Sequence, residues 1–222
     1  MYRYVIFDFD GTVTDTSEGI VKSFAYSFEA MGREVPDLSD RNKFIGPPLD
    51  YSYVTFYGVS EDEAQTYLAR YRERYAVKGI YECELYKGIK ELLLKLKEKG
   101  IRLGVASSKP ERFVNEVADF LGVREFFDVT VGIGIGEKTH PTKKELILTA
   151  MEKLGAESKD DCLMVGDRFY DIDGAAQAGV KSVGVLWGFG DKNELTDHGA
   201  DYIIENPDEL TEIVFHGEHY SE

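Results

Sequence analysis

The chain of 222 residues carries 26 Lys and Arg against 41 Asp and Glu, a net charge of −15, with 43% apolar and 30% charged residues. This is the composition of a soluble globular protein, long enough for one α/β domain or for a core with one smaller insertion. The acidic balance excludes long-range attraction to nucleic acid or to an anionic membrane, so a small anionic substrate needs a local positive site.

Met1 leads directly into the first predicted strand, with no basic start ahead of an apolar segment and no later run of membrane-span length. A cytoplasmic protein with no membrane or nucleic-acid partner is therefore expected. Residues 4–7, Tyr-Val-Ile-Phe, form a short continuous apolar run, the pattern of a central parallel strand covered on both faces. Asp8 and Asp10 follow at once, separated by Phe9, and Gly11-Thr12 comes next. A lone buried carboxylate is costly. Two at the carboxyl end of a strand are tolerable with a cation between them, and that end is where open α/β sheets bind ligands. The stretch points to a metal site.

Residues 17–32 turn helical, with an apolar stripe at Ile20, Phe24, Phe28 and Met31 that Gly32 ends. Residues 41–58 predict a helix or turn, a Pro-containing loop and a further helix. Residues 60–79 predict a helix with Ser60 as its cap and an acidic first turn. Within it Tyr67, Tyr71 and Tyr75 recur every four residues, which marks one packed helix face. From Tyr86 helices and strands alternate: helix 87–100, strand 101–108, helix 110–122, strand 127–133, helix 143–155, strand 161–167, helix 171–179 and strand 181–187, with a short strand near 200–204. That is a parallel-sheet rhythm. The predicted organisation is an α/β core of residues 1–14 and 85–222, interrupted after its first strand by a small α-helical insertion, residues 15–84, that reads as a cap. Residues 215–222 read as a polar, frayed end. Gly132 to Gly136 lacks the spacing of a dinucleotide loop. Cys83 and Cys162 are too few for a disulfide framework and read as packing residues, while His140, His198, His216 and His219 form no ligand set.

Four stretches stand directly after core strands or at the next helix start, and each offers a residue type that phosphoryl transfer needs. Asp8 can attack phosphorus and split hydrolysis into two steps. Asp10 can protonate the leaving alcohol and then deprotonate water, with its backbone carbonyl on the ion. Thr12 offers a backbone N–H to a phosphate oxygen. Ser107 can hydrogen-bond a phosphate oxygen, with Ser108 its nearest competitor, and Lys109 beside them either helps the site or lies exposed. Lys143 or Lys144 can bring positive charge to the phosphate. Asp167, at the end of strand 161–167, completes an oxygen-rich Mg²⁺ shell, and Asp171 can bind a metal water or orient the lysine. The expected metal set is thus Asp8, Asp10, Asp167 and Asp171, and Arg41 and Lys43 are candidate substrate contacts from the insertion.

These motifs, "DFDGT", "ASSK", "PTKKE" and "GDRFYD", strongly resemble those of the haloacid dehalogenase superfamily of phosphatases, over the whole chain. The resemblance implies a Rossmann-like open parallel sheet with a mobile cap, and it favours Lys143 over Lys144 by aligning "KKELI". "FIGPPL", "ELYKGIKELL" and "VGVLWGFGDKNEL" resemble the phosphoglycolate phosphatase branch, although "ASSKP" replaces its more usual Thr-Asn-Lys-Pro. The implied protein is a Mg²⁺-dependent phosphomonoester hydrolase, monomeric or homodimeric, whose small-molecule ester is phosphoglycolate. Related members act as 5'-nucleotidases or phosphosugar mutases, and a non-catalytic phosphate-binding protein is the alternative from outside enzymology.

Overall fold

Four successive apolar side chains make β1 (Tyr4–Phe7), and all four are buried, as a strand covered on both faces requires. In the computed structural model, which describes residues 1–134 and 141–217, the chain next passes through a short strand, β2 (Thr14–Asp15). Three helices follow, α1 (Ser17–Ala30), α2 (Leu49–Tyr57) and α3 (Glu61–Tyr75), before β3 (Glu84–Leu85). Alternation then sets in with α4 (Ile89–Glu98), β4 (Arg102–Pro110), α5 (Glu111–Phe120), β5 (Val129–Ile133), α6 (Lys143–Leu154), β6 (Cys162–Gly166) and α7 (Phe169–Ala178). It closes with β7 (Lys181–Val185), α8 (Lys192–Asp197), β8 (Tyr202–Ile204) and α9 (Pro207–His216). The elements gather into two units, Met1–Thr14 with Leu85–Glu222, and Asp15–Glu84.

In the first unit six parallel strands lie in the order β5-β4-β1-β6-β7-β8, flanked by helices. This is the Rossmann-like parallel sheet that the alternating pattern and the resemblance predict. From β1 the chain builds outward through β4 and β5, then crosses to β6 on the other side. The strand order therefore reverses at β1, the place where such sheets bind ligands at their carboxyl ends. Register brings the ends level: Phe7 lies opposite Val105 of β4 and Val165 of β6, so the residues just beyond these three strands share one edge. Behind that edge Ile6, Ala106, Val131 and Met164 of the sheet pack with Leu146, Ile147, Ala150 and Leu154 of α6. Each fully buried Leu or Ile there contributes about 1.5–3 kcal/mol. A reciprocal cap, Thr142 accepting from the Glu145 N–H while the Glu145 carboxylate accepts from the Thr142 N–H, fixes the start of α6 and with it Lys143.

In the second unit α1, α2 and α3 enclose an aromatic interior. Phe24 and Tyr53 stack at 4.4 Å and 4°, and Tyr53 shares a 2.8 Å hydrogen bond with the Ser27 hydroxyl. Tyr67, Tyr71 and Tyr75 are all buried, as one packed helix face should be. At Gly19 a Cβ would fall 1.9 Å from the Gly79 carbonyl oxygen, so only glycine admits this approach.

Some expectations fail. The Ser60 hydroxyl does not cap α3; it donates instead to the Glu63 carboxylate at 2.6 Å. Residues 215 and 216 are the end of α9 rather than a frayed tail. Asn206 and Glu209 cap that helix, Pro207 starts it, and Leu210, Ile213 and Val214 bury its inner face. His140, His219, the end of the Gly132–Gly136 loop and residues 218–222 lie outside the described residues. Cys162 is buried within β6 and Cys83 is partly buried. No helix among the described residues is long and apolar enough to cross a membrane.

Candidate active site

Asp8 continues β1 by one residue, its N–H donating to the Val165 carbonyl of β6 at 2.8 Å. The chain then turns sharply, with Gly11 at φ +90° and the Val13 and Thr14 N–H groups both on the Phe9 carbonyl. Asp167 lies just past β6 and Asp171 sits in the first turn of α7, both fully buried. One carboxylate oxygen from each of Asp8, Asp167 and Asp171 lies within 4.8 Å of the others. Lys143 enters from the start of α6. Its Nζ is 2.8 Å from Asp8 Oδ1 and 2.8 Å from Asp171 Oδ1, and it donates to the Ala106 carbonyl at 3.1 Å.

Burial pushes the Asp167 carboxyl well above the ordinary carboxylate range, with the charges of Asp171 and Asp8 adding to it. Hydrogen bonds from the Phe189 N–H, at 2.8 Å, and the Thr12 hydroxyl, at 3.1 Å, work the other way. Burial likewise raises Asp171, and although Lys143 opposes it, the group is pushed up to about 6. For Lys143 burial favours the neutral amine, yet Asp171 and Asp8 outweigh it and hold the amine protonated above its usual range. Asp10 stands apart from the trio, its carboxylate 3.0 Å from the buried Lys109 ammonium at both oxygens. The trio therefore gathers three carboxyl groups, Asp8, Asp167 and Asp171, around the single Lys143 ammonium. An all-oxygen donor set with one ammonium beside it fits a hard divalent cation, whose charge would hold all three carboxylates ionised.

A metal-binding prediction follows. For Asp171 the folded-state pKa, about 6, lies above the unfolded value near 3.8. The stability it contributes is present below about pH 4 and is lost as pH rises through about 6. Asp167 acts in the same direction. At pH 8 the metal-free protein thus carries unrelieved repulsion, and millimolar Mg²⁺ is expected to raise the melting temperature by several degrees. At pH 5 protons compete for the same oxygens and the gain should be much smaller. A melting series at both pH values checks this; an equal gain would exclude these carboxylates as the ligands.

The other expected residues are placed as follows. Ser107 is buried and its hydroxyl accepts from the Lys109 N–H at 3.2 Å, whereas Ser108 and Lys144 are exposed. The Thr12 side chain is turned onto Asp167. Arg41 and Lys43 belong to the helical unit, where Arg41 donates to the Ser17 hydroxyl at 2.9 Å and Lys43 lies 3.4 Å from Asp40. Sequence reasoning missed the loop after β7. Trp187 Nε1 donates to the Thr12 carbonyl at 3.0 Å, and the Phe189 N–H reaches Asp167. A Cβ at Gly188 would fall 2.3 Å from Asp167 Cβ. The paired glycines of "LWGFG" after an apolar strand were the available signal. Gly11 is equally constrained, since a Cβ there would meet Asp167 Oδ2 at 2.3 Å on top of its positive φ. Gly11→Ala is expected to cost at least about 2 kcal/mol by denaturant unfolding and to weaken Mg²⁺ stabilisation; wild-type values for both would show that this turn can yield.

Residues 5–185 match the family described as haloacid dehalogenase-like hydrolase. A 5'-nucleotidase of Pseudomonas aeruginosa is 40% identical over 198 residues, covering 89% of this chain and 88% of its own. The tyrosine-protein kinase PtkA of Mycobacterium tuberculosis is 34% identical over 211 residues, 95% of this chain and 71% of that protein. Among solved structures, a predicted phosphatase from Clostridium acetobutylicum superposes with a TM-score of 0.88 at 41% identity, over 97% of this chain and 99% of that one.

Proposed function

The chain belongs to the haloacid dehalogenase-like hydrolase family, and from that premise we propose that it is a Mg²⁺-dependent phosphatase working through an aspartyl-phosphate on Asp8. The names of its relatives diverge while the fold does not, so the function is argued from the site. One observation carries it: three carboxylates, Asp8, Asp167 and Asp171, gathered at the reversal point of a parallel sheet, with the Lys143 ammonium 2.8 Å from two of them.

Asp8, Asp167 and Asp171 are the side chains that would hold Mg²⁺, which when bound draws negative charge from the phosphoryl oxygens. Lys143 pairs with Asp8 Oδ1, leaving Asp8 Oδ2 as the attacking atom. An Asp8 Oδ2–phosphorus bond forms as the phosphorus–alkoxide bond breaks, and Asp10 passes a proton to the departing oxygen. In the second step Asp10 takes a proton from water as the water oxygen attacks phosphorus, releasing inorganic phosphate and the Asp8 carboxylate. Lys143 and the Ser107 hydroxyl compensate the charge on the phosphoryl oxygens throughout. In this reading the helical unit is the cap, with Arg41 and Lys43 its cationic contribution.

The substrate is a small-molecule phosphate ester. The motif resemblance suggests phosphoglycolate; the Pseudomonas aeruginosa relative favours a nucleoside 5'-monophosphate as the second reading. Phosphate release from a panel of phosphoglycolate, nucleoside monophosphates and sugar phosphates, with Mg²⁺ and with EDTA, is expected to be metal-dependent and to single out one class. Release from none of them would overturn the assignment.

A further inference from the structure

The Asp10 carboxylate is engaged by Lys109, whose Nζ is 3.0 Å from Oδ1 and 3.0 Å from Oδ2. The lysine side chain is 5% exposed and the aspartate 22%. A lysine ordinarily keeps its ammonium in water, and burying one needs a reason. Here the backbone is shaped to do it. The pairing of β4 with β5 shifts register between Ala106 and Pro110. Beneath that irregular segment lies Gly132, where a Cβ would fall 2.5 Å from the Lys109 carbonyl oxygen and 2.5 Å from the Glu111 nitrogen. Both are backbone atoms that cannot swing aside. The Ser107 hydroxyl accepts the Lys109 N–H at 3.2 Å and holds the same turn.

We propose that Lys109 is a positioning residue that fixes the Asp10 carboxyl for proton transfer to and from the leaving-group side of the substrate. The inference rests on Asp10 acting as the acid/base. A carboxyl on a short stem can otherwise rotate among several orientations, and misplacement by an ångström is enough to slow transfer severely. An ammonium centred between the two oxygens engages one lone pair of each and leaves the other outward. One outward position serves the ester oxygen, which receives the proton as its bond to phosphorus breaks; water returns a proton to Asp10 in the second step.

Leaving-group dependence tests this. Lys109→Met is expected to lower kcat/KM on propyl phosphate, whose alkoxide must be protonated in the first step, by roughly 10²-fold. On 4-nitrophenyl phosphate, whose phenolate departs unprotonated, the loss in kcat/KM should be below about threefold, while hydrolysis of the aspartyl-phosphate, a step common to both esters, should slow equally on both. Lys109→Arg should recover part of the propyl phosphate rate. In a double-mutant comparison, Lys109→Met combined with Asp10→Asn should be no slower on propyl phosphate than Asp10→Asn alone. Equal losses in kcat/KM on the two esters would overturn the inference, because a lysine that only binds phosphate or supports the fold gives that pattern. Asp10→Asn without selectivity between the esters in kcat/KM would remove the acid role in the first step, and the inference with it. Should Lys109→Met not fold, Lys109→Gln carries the same comparison.

Discussion

Asp8→Asn is expected to reduce phosphate release by roughly 10³-fold or more while the protein melts no lower than the wild type. The amide has the size of the carboxylate and can still accept from Lys143 through Oδ1, so the 2.8 Å contact survives. What disappears is the anionic oxygen that forms the bond to phosphorus. The same change removes one of three crowded negative charges, and the Asp8 charge is among the causes that raise both Asp167 and Asp171. Without metal at pH 8 the variant should therefore be at least as stable as the wild type, and it should gain less from Mg²⁺. Activity and stability moving in opposite directions is what separates a nucleophile from a structural aspartate. Turnover within about tenfold of wild type in a folded Asp8→Asn protein would end the aspartyl-phosphate reading.

Much of this arrangement is legible in the chain because a parallel sheet brings the carboxyl ends of its strands to one edge. Once residues 4–7 and 161–166 are recognised as buried parallel strands, Asp8 and Asp167 come to the same sheet edge, and the observed pairing of β1 with β6, Phe7 opposite Val165, sets them side by side. Lys143 and Asp171 follow because each opens the helix after such a strand. Other features depend on partners distant in sequence. The burial of Lys109 needs a register shift in β4 and a glycine at position 132 of the neighbouring strand, and neither is visible from "ASSKP". The contact of the Phe189 N–H with Asp167 depends on where the loop after β7 returns. α9 was missed for a different reason: its Asn-Pro-Asp-Glu start is a local signal, which the polar residues behind it obscured.

Lys143→Met should lose both activity and stability, and the pH dependence of the second loss identifies its cause. The lysine stem packs against α7, where a Cβ on Gly174 would fall 2.6 Å from Lys143 Cγ, and methionine can occupy that path. The substitution thus removes the charge and leaves most of the packing. Asp8 Oδ1 and Asp171 Oδ1 then lose the ammonium 2.8 Å away, and the Ala106 carbonyl loses a donor. Breaking a buried ion pair from one side costs about 3–5 kcal/mol at neutral pH. Asp171 already titrates near 6 with the lysine opposing the effect of burial, so its folded-state pKa must climb further without it. A raised carboxyl contributes stability below its unfolded pKa and loses it as pH rises through the folded one. The deficit should accordingly be small near pH 4, grow through pH 6 and be largest at pH 8, where Mg²⁺ should recover part of it. Denaturant unfolding at these pH values, with and without Mg²⁺, checks the prediction. A deficit of the same size at every pH would mean that Lys143 supports the fold by packing and is not the counter-ion of Asp8 and Asp171.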